Sequence, residues 1–303
     1  MKNGWVDRLA SARRGAVLAA LLALAAIGLG PAPPAGGAGG SRAVNATVNA
    51  AVRQAKSSCR AIGVHVVDLA AGESVYEYYA DEPRILASNT KLFTSAAALD
   101  RLGPGYLFET QVMTRGEVVD GVLDGDLAVV GGGDPNISGR HYLGDSLAVF
   151  RRWARRLAAD GIRRIDGDLV LVHGLFEDQQ VHPDWPRDQL AKWYEAPVAA
   201  LSFADNCALV RIWPSAGGRR PQVEVLPRVP YFDVESKATT TASRSRHLVG
   251  VTRSADEELL TVWGSVYRQA APVETWVAVH DPLEYFGRAL RTALEEEGIG
   301  LGG

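Results

Sequence analysis

One tetrapeptide combines a hydroxyl group and an amine at a spacing that suits nucleophilic catalysis. Ser88 and Lys91 are the ends of the sequence Ser88-Asn-Thr-Lys91. On a helix, residues three apart lie on one face with their Cβ atoms about 5–6 Å apart, so the ammonium can meet the hydroxyl. A lysine that has lost its proton in desolvated surroundings can act as the base for a serine nucleophile. A serine that caps a helix ahead of a surface lysine has the same pattern, and the tetrapeptide alone leaves both open.

Three other motifs give weaker signals. Gly144-Asp-Ser-Leu147 matches a block of certain serine esterases, but no histidine has an aspartate three residues before it, and Asp145 and Ser146 are predicted to cap a helix. Gly131-Gly-Gly133 lacks the spacing of a phosphate-binding loop and predicts a turn. His182-Pro-Asp184 predicts a solvated loop rather than a metal site. These three motifs therefore indicate no metal site and no cofactor site.

The composition excludes some classes of protein. The chain has 303 residues and a net charge of -3, so it lacks the basic surface that nucleic-acid binding requires. Only five of its 32 basic residues are lysines, which makes Lys91 notable, because arginine does not lose its proton. The two cysteines, Cys59 and Cys207, are too few for a disulfide scaffold. Whether they pair is left open.

The first 40 residues resemble an export signal. Four basic residues precede the apolar run Gly15–Gly30, and a Pro- and Gly-rich segment follows it. We expect residues 1–40 to be a signal peptide with a small-residue linker. The protein is then exported to the periplasm or another extracytoplasmic space. Membrane contact is expected only through this segment, if it stays uncleaved.

The remaining pattern predicts an α/β chain. Residues 62–69 and 74–79 predict a β-hairpin. Residues 88–102 predict a helix with a buried stripe of Leu92, Ala96 and Leu99. Short strands follow, then a helix over 145–160, further strands, a polar surface segment over 236–254, and a final strand and helix. Asp281 is expected to cap that last helix.

Several segments resemble one known family in register. The stretch Ala87–Thr110, which contains the Ser-x-x-Lys, closely resembles the active-site helix of peptidase family S13, the class C low-molecular-mass penicillin-binding proteins. Gly125–Pro135 and Trp185–Cys207 resemble its glycine loop and inserted-domain segment, and Gly298-Ile-Gly its return to the catalytic domain. The resemblance covers roughly residues 47–303.

This resemblance implies a fold, a reaction and two site residues. The fold is a penicillin-recognising serine transpeptidase (β-lactamase-like) domain with a large β-rich inserted domain after the Ser-x-x-Lys helix. It assigns 41–105 and 271–303 to the transpeptidase-like domain and 106–270 to the insertion. Ser88 would be acylated and Lys91 would accept its proton. The implied activity is a D-Ala-D-Ala carboxypeptidase/endopeptidase, with peptidoglycan peptide stems and β-lactams as partners.

The sequence departs from the family pattern in one respect. The family completes its site with Ser-x-Asn and Lys-Thr-Gly, and neither occurs in these 303 residues. Ser202-Phe-Ala-Asp-Asn206 does not fit Ser-x-Asn. We expect an incomplete transpeptidase-like domain, a C-terminally truncated copy with weak or absent catalysis. A non-catalytic peptidoglycan-binding relic and a class A β-lactamase-like hydrolase are the alternatives.

Overall fold

The computed structural model describes residues 38–59 and 61–302, with side chains from residue 44 onward. The signal-peptide prediction lies almost entirely outside these residues. The described chain forms two units that divide between Gly103 and Pro104, and each is treated by itself. Within this described part, no helix has the length and apolar character needed to cross a membrane.

The N-terminal unit contains helix α1 (Ala38–Lys56) and an antiparallel hairpin of β1 (Val64–Asp68) and β2 (Glu73–Tyr78). The hairpin prediction is confirmed. Val48 and Val52 of α1 pack with Tyr76 of β2 as a small core. Helix α1 begins at Ala38, within the last three residues of the expected linker, and the domain boundary at residue 40 stays a prediction. The helix itself was missed, although valines at 44, 48 and 52 form a stripe at helical spacing.

The predicted helix after the hairpin is present, with a different start and a different exposure. A single 3₁₀ turn (Ala87–Asn89) leads into α2 (Thr90–Leu102), and Gly103 ends it with φ 79°. The predicted burial of the apolar stripe is wrong. Leu92 is 71% exposed and Leu99 58%, and α2 has no buried residue. An amphipathic stripe is buried only where another element covers it, and none of the described elements does so here.

The C-terminal unit begins with a mixed five-stranded sheet. Its strands are β3 (Gln111–Val119), β4 (Val122–Val130), β5 (Arg164–Ile165), β6 (Leu169–Val172) and β14 (Gly300–Leu301). Helices α3 (Ala148–Ala159) and α4 (Pro282–Glu296) pack with this sheet in one core that includes Leu127, Phe150 and Phe286. The Asp281 side chain accepts hydrogen bonds from the N–H groups of Leu283 and Glu284, so the predicted cap of α4 is confirmed.

Two further sheets complete this unit. One contains β7 (Cys207–Trp213), β8 (Gln222–Leu226) and β13 (Val273–Ala278). The other contains β9 (Asp233–Ser236), β10 (Thr239–Thr241), β11 (Leu248–Arg253) and β12 (Leu259–Tyr267). The prediction that 236–254 is a surface segment is therefore wrong. Its polar residues alternate with side chains that face a core, as in Val249 and Val251, and this period-two pattern was hidden by the high content of Ser, Thr and Arg.

The C-terminal segment packs within the C-terminal unit. Strand β13 pairs with β7, β14 pairs with β5, and α4 shares the core of α3. This grouping joins residues 273–301 to the segment predicted as an insertion. The assignment of 41–105 and 271–303 to one transpeptidase-like domain stays a prediction.

The two cysteines are unpaired thiols. Cys59 is exposed and belongs to the N-terminal unit, whereas Cys207 is buried at the start of β7 in the C-terminal unit. Burial raises the pKa of the Cys207 thiol to about 12. A Cys59–Cys207 disulfide, which the sequence left open, is absent from the structure.

Candidate active site

The two residues singled out by the sequence meet in the structure. Lys91 Nζ donates a hydrogen bond to Ser88 Oγ over 3.3 Å. The pair spans the junction of the 3₁₀ turn with α2, so both side chains project from one face as the three-residue spacing predicts. A lysine in this position can exchange a proton with the hydroxyl without any intervening group.

The backbone around Ser88 is unusual for non-glycine residues. Ala87, directly before it, has φ 47°, in the left-handed region that costs an alanine on the order of 1 kcal/mol. The Thr90 N–H bonds back to the carbonyls of Ala87 and Ser88. No side chain caps the 3₁₀ turn or α2. Free backbone N–H groups at such a helix start favour negative charge that develops close by.

Ser88 and Lys91 are both exposed. A lysine base needs surroundings that disfavour its charged form, and the described residues of the N-terminal unit do not supply them. The structure thus contains the predicted contact between Ser88 and Lys91, without burial of either side chain.

The other candidate motifs have structural roles. Asp145 Oδ1 accepts a hydrogen bond from the Leu147 N–H and pairs with Arg151 over 2.6 Å, so the Gly-Asp-Ser-Leu segment forms the turn into α3. In the glycine loop, a Cβ on Gly132 would lie 1.9 Å from the Glu109 carbonyl oxygen, which explains the need for glycine. His182 and Asp184 contact each other at 3.8 Å, and no cluster of three metal-ligating side chains occurs among the described residues.

Asn206, from the segment that does not fit Ser-x-Asn, is buried and structural. Its side-chain amide accepts from the Phe203 N–H and donates to the Pro197 carbonyl and to Ser202 Oγ. These bonds close a turn before β7. The sequence did not indicate the polar surface on the sheet of β7, β8 and β13. The only sequence signal for this surface is the alternation of outward-facing and inward-facing residues along the strands.

Comparison with known proteins places the chain in a family. The family model described as D-Ala-D-Ala carboxypeptidase 3 (S13) family matches residues 44–303. The chain belongs to this family. A D-alanyl-D-alanine carboxypeptidase from an Actinomadura species is 31% identical over 312 residues, covering 96% of this chain and 55% of that protein. The D-alanyl-D-alanine carboxypeptidase DacB of Haemophilus influenzae is 30% identical over 146 residues, covering 48% of this chain and 29% of that protein.

The fold also matches solved structures. Penicillin binding protein 4 from H. influenzae superposes with a TM-score of 0.67 at 24% identity, covering 79% of this chain and 52% of that one. Its complex with a novel β-lactam gives a TM-score of 0.59 at 25% identity, covering 79% and 49%. The predicted family and its penicillin-recognising α/β fold are confirmed, while the separate inserted domain stays a prediction. The chain spans about half the length of the first of these curated relatives.

Proposed function

We propose that this chain carries the nucleophile segment of a serine-type D-Ala-D-Ala carboxypeptidase/endopeptidase that acts on peptidoglycan peptides through an acyl-enzyme at Ser88. The observation that carries the proposal is the 3.3 Å hydrogen bond from Lys91 Nζ to Ser88 Oγ at the start of a helix. Family membership supports the assignment of these roles.

The proposed chemistry has two steps. Ser88 Oγ attacks the carbonyl carbon of the penultimate D-Ala while neutral Lys91 accepts the hydroxyl proton. The C–N bond then breaks, the proton passes to the leaving amine, and the terminal D-Ala departs. Water hydrolyses the Ser88 ester and restores the hydroxyl. No metal or organic cofactor takes part in either step.

These 303 residues are expected to turn over weakly or not at all. Stabilisation of the developing oxyanion is a large part of acyl transfer, and loss of one donor costs about 10²–10³ in rate. In the family that this chain resembles, the strand with Lys-Thr-Gly supplies one such N–H donor. Neither Lys-Thr-Gly nor Ser-x-Asn occurs in these 303 residues. The exposure of Lys91 also favours weak turnover, because a lysine base needs surroundings that disfavour its charged form.

The setting of this reaction is outside the cytoplasm, where peptidoglycan lies. The predicted signal segment in residues 1–40 and the family of cell-wall enzymes support this location. β-Lactams are the expected covalent ligands, since one structural relative has been solved with a β-lactam bound.

The test is covalent labelling of the purified chain by a fluorescent penicillin, followed over hours and mapped by mass spectrometry of peptides. We expect slow acylation at Ser88, none in Ser88→Ala, and a strong reduction in Lys91→Arg, which keeps the charge but cannot act as a base. Label on another residue, or equal label in Ser88→Ala, would contradict the proposal. Rapid and stoichiometric labelling would show instead that the expectation of weak catalysis is wrong.

The exposure of the Ser88–Lys91 pair favours a second candidate, a peptidoglycan-binding protein without turnover. A pull-down with purified sacculi, comparing the wild-type chain with Ser88→Ala, separates the two. Binding that is equal in both proteins, with no acylation after a day, supports this second candidate. Lack of binding by either protein excludes it.

A further inference from the structure

The outward face of the sheet formed by β8, β7 and β13 carries several charged side chains and an exposed tryptophan, Trp276, on the edge strand β13. Trp276 lies opposite Leu209, and Leu209 lies opposite Leu226, in one row across the three strands. The next row is Glu274, Arg211 and Glu224. Trp276 of β13 is 50% exposed, whereas Ala208, Val210 and Ile212 of the central strand β7 face inward and are buried.

Two adjoining cavities lie over this face of the sheet. One, of about 430 Å³, has Trp276, Arg211, Arg228 and Glu296 among its lining residues. The other, of about 300 Å³, is lined by Trp276 together with Arg140, Asp205 and Ser138. Both cavities share Gly144, Ser146 and Trp276 in their lining, so they adjoin as one groove bordered by the Trp276 side chain. Each is large enough for a small-molecule unit, because ligand cavities in proteins begin at about 300 Å³.

The charged groups along this groove neutralise one another. Arg151 pairs with Asp145 over 2.6 Å and with Glu296 over 2.8 Å. Arg211 contacts Glu274 at 2.6 Å, and Arg228 contacts Glu224 at 2.6 Å. Arg140 donates to both carboxylate oxygens of Asp205, at 2.9 and 3.0 Å. An anion or a cation would have to break these pairs to bind. A neutral ligand rich in hydroxyl and amide groups can use their remaining donors and acceptors while the pairs stay intact.

Strained backbone is concentrated at one end of the groove. Seven non-glycine residues of the described chain have positive φ, and four of them lie here: Leu143, Ala204, Asp205 and Asn206. Ala204–Asn206 form a left-handed turn that holds Asp205 at the groove, and the buried amide of Asn206 fixes that turn. Such conformations are unfavourable and persist where a surrounding structure holds them, often at binding sites.

We propose that this groove binds an uncharged oligosaccharide, with one sugar ring lying on Trp276 and its hydroxyl or N-acetyl groups bonded to the paired arginines and carboxylates. The flat indole face suits the C–H face of a pyranose ring, and the planar paired side chains on either side supply directional hydrogen bonds. The inference deepens the proposed function, because the glycan strand of peptidoglycan is then the source of the saccharide. The groove belongs to the C-terminal unit, whereas Ser88 belongs to the N-terminal unit.

The experiment titrates the full chain with tetra-N-acetylchitotetraose and follows binding by calorimetry. We expect saturable binding that becomes about tenfold weaker in Trp276→Ala and is partly retained in Trp276→Phe, because the phenylalanine keeps an aromatic face. The matched control is Trp263→Ala. Trp263 is 40% exposed on β12 and lines neither cavity, so its removal should leave the affinity unchanged.

Two results would overturn the inference. One is the absence of saturable binding by the wild-type chain. The other is an equal affinity in Trp276→Ala, once circular dichroism shows that this variant is folded. Ser88→Ala should bind the tetrasaccharide like the wild-type chain. Failure of penicillin acylation therefore affects only the proposed function, and failure of saccharide binding affects only the groove.

Discussion

The buried side-chain amide of Asn206 stabilises a backbone conformation that would otherwise be unfavourable. Asn206 is 4% exposed and lies at φ 50°, a conformation that asparagine tolerates better than alanine. Its amide makes the only side-chain hydrogen bond to the Phe203 N–H that the structure shows, and it bonds to the Pro197 carbonyl as well. One residue therefore serves both the turn before β7 and the edge of the proposed saccharide groove.

Asn206→Ala is expected to destabilise the C-terminal unit by about 2–4 kcal/mol, since it leaves buried donors and acceptors unpaired and places alanine at positive φ. The measurement is the free energy of unfolding in urea. Asn136→Ala, a substitution at a partly exposed position, serves as the control and should cost about 0.5 kcal/mol or less. A cost for Asn206→Ala as small as that of the control would show that the turn does not depend on the amide.

At the scale of secondary-structure elements, helices α3 and α4 are joined by charge as well as by packing. Phe150 of α3 contacts Phe286 of α4 edge to face, with 4.8 Å between ring centroids. Two ion pairs near the C-terminal end of α4 also join the two helices. Arg151 pairs with Glu296, and Arg155 pairs with Glu297 at 2.6 Å. The hydrogen bond from Arg155, aided by its charge, lowers the pKa of Glu297.

The lowered pKa gives this helix pair a pH dependence of defined sign. A carboxyl group whose pKa is lower in the folded than in the unfolded state stabilises the fold above its unfolded pKa, about 4.3 for glutamate, and loses that contribution as the pH falls through the folded pKa. Wild-type protein should therefore be more stable than Glu297→Gln at pH 7, and the gap should narrow as the pH falls below about 4.3, the unfolded pKa of glutamate. Thermal unfolding across this range measures it, with exposed Glu177→Gln as the control. A gap that stays constant down to pH 3 would mean that the Arg155–Glu297 pair does not contribute.

At the scale of the whole molecule, the two units differ in how much apolar surface each buries. The N-terminal unit has a core of Val48, Val52 and Tyr76, to which four partly buried side chains are added. Burial of each such side chain contributes about 1.5–3 kcal/mol, whereas each ordered residue costs about 1–2 kcal/mol of backbone entropy. The C-terminal unit has two clusters, one with Phe150, Phe286 and Leu290 and one with Ile212, Leu260 and Val262.

Hydrogen exchange should reveal this difference directly. We expect the amides of α1, β1 and β2 to exchange within minutes at pH 7, while those of β4, β7 and α4 stay protected for hours, because exchange reports local opening. Mass spectrometry of peptides from the full chain measures both units in one sample. Equal protection of β1–β2 and β7 would show that the N-terminal unit is stabilised by more than its own small core.

Helices and strands in which apolar residues recur at a regular spacing were predictable from the sequence. The hairpin of β1 and β2, the helix α3 and the capped helix α4 were all confirmed. The strands over 236–254 were not predictable, because Thr, Ser and Arg there are typical of loops. The burial of Leu92 and Leu99 was also predicted wrongly, since an apolar stripe shows that a helix can be covered without showing that it is.

The sequence by itself provided the Ser88 and Lys91 pair at three-residue spacing and the motifs that point to one family. These features depend on residue type and on the spacing of residues within short segments, so they can be recognised without the tertiary structure. Only the tertiary structure decided that the pair meets at 3.3 Å yet stays exposed, and that the segment ending in α4 packs with α3. It also decided that Trp276 and Arg211 line one cavity with Ser146, far away in sequence. Such groupings depend on how strands from distant segments pair, and the sequence pattern does not specify the register of that pairing.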